Sequence, residues 1–245
     1  MNVTFRITRF DPEKGPESYV QDLALDVEAG DAVLTALLRL HDFQDGSLSL
    51  RYSCRGAICG SCAMKINGTA MLACKTQVTT LVTPENPVIA VAPLTNHAVL
   101  KDLVVRQDAF WAAIDRFLPW LHRPGDDVWD PVLKYGDTLD PRHWDEMDRC
   151  ATCIRCGACT SDCPKVAEAG AEGFIGPAAC VALYRFLYDP RNRSDAQDRM
   201  AVDPAGPDAC DNHGDCVRVC PKDVRPQRAI NMTRQDRKAP RAPKA

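Results

Sequence analysis

The sequence contains no run of eighteen consecutive apolar residues, about the least that spans a bilayer as a helix, so the chain is not expected to cross a membrane. Its opening residues, MNVTFRITRF, hold no apolar stretch of the length a secretion signal requires. There is no excess of positive charge either. The formal net charge is −3, which removes the electrostatic ground for binding nucleic acid. A hydrophobic fraction of 45% and a charged fraction of 26% are ordinary for a globular protein, and 245 residues suit one large domain or two modest ones.

Cysteine is what the sequence has in excess. Thirteen cysteines stand at 54, 59, 62 and 74, then 150, 153, 156, 159, 163 and 180, and finally 210, 216 and 220. Thiols grouped this tightly in a chain without an export signal point to metal ligation over disulfides, and the odd count leaves at least one outside any paired scheme.

The first hundred or so residues alternate as strands do. Val3, Phe5 and Ile7, and again Leu23, Leu25 and Val27, are spaced by polar residues, and the DPEKGPE segment between them predicts a hairpin. Asp31 is placed to cap a helix over AVLTALLRLHDF, with Leu34, Leu37, Leu38 and His41 on one face and His41 near the surface. A second hairpin is expected to turn at Asn67-Gly68, a pair suited to a type I′ turn, and PVIAVAP reads as a further strand. Four or five strands, one helix and a cysteine loop make a small β-grasp-like domain. From about residue 95, AVLKDLVVRQDAFWAAIDRFLPWL has helical spacing at Leu100, Leu103, Val104, Trp111, Ile114 and Leu118, which predicts an amphipathic helix with this stripe in the core. Residues 123–148 read as an irregular connector. After 150, short helices alternate with cysteine groups, Pro177 opening one and Asp189-Pro190 stopping it. The basic end, RPQRAINMTRQDRKAPRAPKA, reads as a solvated tail or as a contact with an anionic lipid surface or a partner.

Cys54-x4-Cys59-x2-Cys62-x11-Cys74 follows the ligand spacing of plant-type [2Fe–2S] sites. The small residues Gly56, Ala57, Gly60 and Ser61 let the backbone wrap closely, so that N–H groups can face the sulfurs and offset their charge. Zinc sites usually pair two C-x2–4-C knuckles, a pattern that Cys54-x4-Cys59 with a distant Cys74 fits poorly. The second run, Cys153-x2-Cys156-x2-Cys159-x3-Cys163-Pro164, has the bacterial ferredoxin spacing, whose fourth cysteine serves a neighbouring cluster. If it exchanges ligands with Cys210-x5-Cys216-x3-Cys220-Pro221, then Cys153, Cys156, Cys159 and Cys220 form a four-thiolate [4Fe–4S] set. Cys163, Cys210 and Cys216 then remain, and three thiolates suit a [3Fe–4S] cluster. Cys180 reads as a buried apolar residue inside GPAACVALYRF, and Cys150 as a neighbour of the second run that competes with Cys153 for ligation.

SCRGAICGSCAMKINGTAMLAC, CIRCGACTSDCP, FIGPAACVALYRFLYDPR and CDNHGDCVRVCPK, in that order, resemble the iron–sulfur subunits of succinate dehydrogenases and fumarate reductases across nearly the whole chain. The resemblance implies an α+β fold: an N-terminal β-grasp [2Fe–2S] ferredoxin domain over 1–97 and a C-terminal all-α ferredoxin-like domain over 98–245 with [4Fe–4S] and [3Fe–4S] clusters. It implies the ligand sets given above. It also implies a subunit that carries electrons from the FAD of a partner flavoprotein to a membrane quinone, without a succinate site of its own. The implied partners are that flavoprotein and membrane-anchor subunits, with haem as an option, and the implied location is peripheral, on the cytoplasmic face of the cell membrane. A fumarate reductase working in reverse and a soluble iron–sulfur adaptor of a related fumarate reductase are the alternatives.

Two departures from the ubiquinone-linked pattern stand out. Cys163-Pro164 is followed by Lys165, Val166, Ala167 and Glu168 in place of tryptophan, and the last run carries Asp211 and His213 in place of a histidine and an apolar residue. The C-x-N-x-G-x-C form resembles menaquinone-linked members. Lys165, Asp211 and His213 are therefore candidates to line the quinone pocket, or else surface residues that the anchor subunits cover. His213 can also be read as a ligand for a fourth iron, since imidazole ligates iron in some clusters.

Overall fold

The computed structural model describes residues 1–116, 119–121, 141–189, 192 and 196–236. The chain forms two units: Met1–Gln107 with Ile154–Asp162, and Asp108–Cys153 with Cys163–Ala245.

The first unit is built on a five-stranded sheet. Strands β1 (Asn2–Arg9) and β2 (Tyr19–Asp26) pair antiparallel in the register Val3↔Leu25 and Arg9↔Tyr19. The expected hairpin is present, and Val3, Phe5 and Ile7 point to the core with no exposed surface. Helix α1 (Val33–Phe43) buries Val33, Leu34, Ala36, Leu37 and Leu40. Its three buried leucines each contribute roughly 1.5–3 kcal/mol over an exposed position. Asp31 does not cap this helix. The N-cap is Ala32, without a side-chain bond, and the Asp31 carboxylate instead accepts from the Glu28 N–H (2.9 Å) and from Arg39 (3.1 Å). A tertiary bond, Val33 N–H to the Thr76 carbonyl (2.9 Å), satisfies a donor that a cap would otherwise take.

Strands β3 (Ala63–Ile66) and β4 (Thr69–Leu72) form the second expected hairpin, with Asn67 (φ 47°) and Gly68 (φ 79°) both left-handed as a type I′ turn requires. Strand β5 (Val88–Ala92) runs parallel to β1 and antiparallel to β3, giving the order β2-β1-β5-β3-β4.

The segment after residue 95 corrects the sequence reading. It holds a hairpin of β6 (Val99–Lys101) and β7 (Val104–Val105), and only then α2 (Asp108–Asp115). Leu100 and Trp111 are exposed (42% and 37%) while Leu103 and Ile114 are buried, so the predicted stripe is only in part a core face, and Leu118 lies outside the described residues. The helix fails because Asp102 takes a left-handed conformation (φ 47°) and turns its side chain into the protein, where it is 1% exposed. Its carboxylate accepts from Arg9 Nε (2.9 Å) and Nη2 (3.2 Å) and from the N–H groups of Phe10 (3.1 Å) and Ser49 (2.8 Å). Arg9, itself 2% exposed, donates further to Asp45 (2.8 Å), Ser47 (3.0 Å) and Gln21.

The second unit is helical among the described residues. Helix α3 (Pro141–Ala151) takes up the last part of the segment read as a connector and runs past its end, another correction, while 123–140 lie outside the described residues. Its buried positions, His143, Glu146 and Cys150, keep helical spacing but lack aliphatic side chains, so hydropathy does not signal it. Buried Glu146 is held by Arg228 (2.7 Å). Helices α4 (Pro164–Gly173) and α5 (Pro177–Leu187) each open on a proline in the first turn, where no N–H is needed. All of α5 but Arg185 is buried, as fits a helix contacted by α2, by α3, by α6 (Ala196–Ala201) and by α7 (Pro226–Asp236). Residues 237–245 of the basic tail lie outside the described residues.

Candidate metal centres

The loop from Cys54 to Cys62 is wound by the left-handed residues Arg55 (φ 53°), Ala57 (φ 58°) and Gly60 (φ 74°). This winding turns main-chain N–H groups toward sulfur. Cys54 Sγ accepts from Gly56 (3.4 Å), Ile58 (3.3 Å) and Cys59 (3.3 Å), and Cys74 Sγ accepts from Ala57 (3.3 Å). The Cys54 N–H reaches Cys59 Sγ and the Cys74 N–H reaches Cys62 Sγ, both at 3.5 Å. All four thiols of the first run thus accept main-chain donors, the environment that stabilises the negative charge of a thiolate-ligated cluster. The Ser61 side chain, with backbone help from Cys54, lowers the Cys59 thiol to about 6, whereas burial raises Cys62 to about 12. Residues 51–56 are exposed, as is Ile58 (65%), and Arg55 lies over the Tyr52 ring at 5.3 Å.

Gly60 has a second role that the spacing does not reveal. A Cβ at this position would stand 2.8 Å from Cys156 Cβ, so the glycine permits the close approach of the 154–162 segment. That segment carries Cys156 and Cys159 and ends at Asp162, whose carboxylate binds Lys65 of β3 (2.7 Å) and accepts the Ala70 N–H of β4 (3.1 Å). Thr95 and Asn96 hold the backbone of Thr160 and Ser161 through further bonds, including Thr95 Oγ1 to the Ser161 carbonyl (2.6 Å).

In the second unit, Cys153 and Cys220 pack against one apolar cluster of Cys150, Val181, Tyr184, Val224, Ala229 and Met232. The two termini of the crossed ligand set therefore share one surround. The Val224 N–H donates to Cys220 Sγ (3.3 Å). Cys150 is 2% exposed inside this cluster and its thiol is raised by burial, so it stays protonated more readily than an exposed cysteine. Cys180 is also buried, at 1%.

Cys163, Cys210 and Cys216 line one small cavity together with Lys165, Asp211 and His213. The structure thus brings the three remaining cysteines of the sequence scheme to one place and sets the three candidate quinone residues beside them. No other cysteine lines it. The Asn212 N–H donates to Cys210 Sγ (3.4 Å). Lys165 Nζ bonds Asp211 (3.1 Å), which raises the ammonium above its ordinary value, and a longer contact reaches Glu168 (3.7 Å). Burial raises Cys216 to about 12 and raises Cys163 as well. Among the described residues, no three His, Cys, Asp or Glu side chains gather closely enough for a single metal ion. A cluster places its ligands on separate irons, so they need no common centre.

A sheet-based unit whose cysteine loop is lined with N–H donors and which also takes in Cys156 and Cys159, together with a helical unit that carries the other grouped cysteines, defines an iron–sulfur protein made of two ferredoxin-type domains. The 2Fe-2S iron-sulfur cluster binding domain family matches residues 4–112, and the 4Fe-4S dicluster domain family matches residues 149–224. The succinate dehydrogenase iron-sulfur subunit of Coxiella burnetii is 34% identical over 238 residues, which cover 96% of each chain. The mitochondrial succinate dehydrogenase [ubiquinone] iron-sulfur subunit of Dictyostelium discoideum is 33% identical over 237 residues, 93% of this chain and 80% of that one. Among solved structures, a chain of the Mycobacterium smegmatis Sdh1 complex in the apo form superposes with a TM-score of 0.80 at 26% identity, covering 98% of both chains. The chain belongs to the family of succinate dehydrogenase iron–sulfur subunits.

Proposed function

We propose that this chain takes electrons from the FAD of a partner flavoprotein and delivers them to a membrane quinone. Cys54, Cys59, Cys62 and Cys74 would hold a [2Fe–2S] cluster within residues 1–97. Within residues 98–245, Cys153, Cys156, Cys159 and Cys220 would hold a [4Fe–4S] cluster, and Cys163, Cys210 and Cys216 a [3Fe–4S] cluster. When bound, such clusters supply one-electron carriage. The chain's own residues fix their order along the polypeptide and offset their charge with N–H donors.

The observation that carries this reading is the cavity shared by Cys163, Cys210 and Cys216. Three thiols share its lining with Lys165, Asp211 and His213, and the Lys165 ammonium and the His213 imidazole could donate hydrogen bonds to a quinone headgroup. Menaquinone is favoured by the Asn212 and Gly214 pattern and by the absence of tryptophan after Pro164. The exposed loop around Cys54, with Tyr52 and Ile58, suits the docking of the flavoprotein. No helix among the described residues is long and apolar enough to cross a membrane. Attachment to the cytoplasmic face would accordingly come from anchor subunits.

The test is purification of the native complex from membranes, with EPR of the succinate-reduced and air-oxidised states. Three cluster signals, co-purifying flavin and hydrophobic subunits, and extractable menaquinone are expected. A Cys163→Ser variant should lower succinate-driven quinone reduction by about tenfold or more while reduction of a dye at the flavin persists. A soluble complex without anchor subunits, or quinone reduction untouched by this substitution, contradicts the proposal; ubiquinone in the extract overturns the menaquinone assignment alone.

A further inference from the structure

The cavity of Cys163, Cys210 and Cys216 also contains an imidazole, that of His213. From this arrangement we infer that His213 is a reversible fourth ligand, which lets the three-thiolate site take up one ferrous ion and become a four-iron site. The inference rests on the assignment of Cys163, Cys210 and Cys216 as cluster ligands.

The other groups in reach are otherwise committed. Asp211 is bound by Lys165 (3.1 Å) and Asp215 by Arg218 (2.8 Å). Cys180 does not line the cavity and is sealed in the buried face of α5. His213 is exposed, so an ion can reach it from solvent. Its position is fixed by the backbone on either side: Asn212 (φ 62°) and Gly214 (φ 89°) are both left-handed, and Gln227 Nε2 donates to the Asn212 carbonyl (2.9 Å). A neutral imidazole suits iron and binds a cluster iron less firmly than a thiolate, which makes the fourth iron removable. The chemistry balances. The one-electron-reduced three-iron core plus one ferrous ion gives the four-iron core in its oxidised state, and the reducing electron comes from succinate. The imidazole gives a lone pair and loses no proton.

The test uses the purified complex with its partner subunits. An air-oxidised sample is reduced anaerobically with succinate in the presence of ferrous ammonium sulfate, freed of excess iron, reoxidised anaerobically and examined by EPR and by iron and sulfide analysis. The wild type should lose about nine-tenths of its three-iron signal and gain about one iron per chain. His213→Ala should keep its signal, His213→Cys should behave as the wild type or bind the fourth iron permanently, and Cys180→Ala should leave uptake unchanged. The inference is overturned if the wild type keeps its signal while His213→Cys loses it, or if His213→Ala takes up iron as the wild type does. It is overturned too if Cys180→Ala abolishes uptake. If the untreated complex has no three-iron signal and sulfide for only two clusters, the assignment of the three cysteines fails, and this inference with it.

Discussion

Gly60 sits between two proposed ligands, Cys59 and Cys62, and answers two demands at once. Its φ of 74° belongs to the left-handed region, and the space its side chain would need is filled by Cys156 Cβ at 2.8 Å. Adding a single methyl in Gly60→Ala therefore costs about 1–2 kcal/mol in backbone strain and also displaces Cys156. The expected result is loss of the [4Fe–4S] EPR signal in the purified variant, with the [2Fe–2S] signal retained in larger part. A variant with both signals at wild-type intensity would show that the approach of Cys156 to this loop is unimportant for cluster binding. The same reasoning explains why the N–H groups of Gly56, Ala57, Ile58 and Cys59 can all face sulfur: each small or left-handed residue removes an obstacle to winding.

Between elements, Asp102 joins the end of β1, the 45–49 loop and the β6–β7 hairpin through four bonds to Arg9, Phe10 and Ser49. Asp102→Asn keeps the size and tolerates the left-handed backbone, but its Nδ2 cannot accept, so it removes the charge together with two of the four bonds. It leaves the buried Arg9 guanidinium short of a carboxylate and should cost about 3 kcal/mol, read as a lowered denaturation midpoint with the slope unchanged. A loss below about 0.5 kcal/mol would place this contact with ordinary surface pairs. This network also marks the limit of what was legible in the sequence. The Asn67-Gly68 hairpin could be read because its turn chemistry is local, and α1 because its apolar face is aliphatic. The β6–β7 hairpin could not, because Leu100 and Leu103 fit a helical period by chance while the turn is decided by a carboxylate buried against Arg9, far away in sequence. Helix α3 escaped notice for a related reason: Glu146 and His143 occupy positions where periodicity looks for leucine. Cysteine spacing pointed to the candidate metal centres, since iron ligation constrains sequence intervals directly. Nothing in that spacing pointed to Asp162 or to the contact of Gly60 with Cys156, which arise only when distant segments meet.

For the molecule as a whole, acid should act first through carboxylates that the fold holds ionised. Asp45 is held well below its ordinary 3.8, first by the Ser47 hydroxyl and then by Arg9. A depressed carboxylate binds protons less readily when folded, so its stabilising contribution is whole above 3.8 and is lost as pH falls below that value. The stability gap between wild type and Asp45→Asn should therefore narrow between about pH 5 and about pH 2.5, as followed by far-UV dichroism during urea unfolding. A gap independent of pH would show that Asp45 acts by packing and not by charge.

The chain crosses between its two units three times, because Ile154–Asp162 belongs with Met1–Gln107 while the residues on both sides of it belong elsewhere. During synthesis, the first unit cannot finish when its last strand has left the ribosome. It must wait for nearly sixty more residues, or some 3–11 seconds at about 5–20 residues per second, before Asp162 can reach Lys65 and Ala70. Throughout that interval the nascent protein presents a nearly complete sheet with the Gly60 side still uncovered, a state in which the first four cysteines, the proposed [2Fe–2S] ligands, are open to loading.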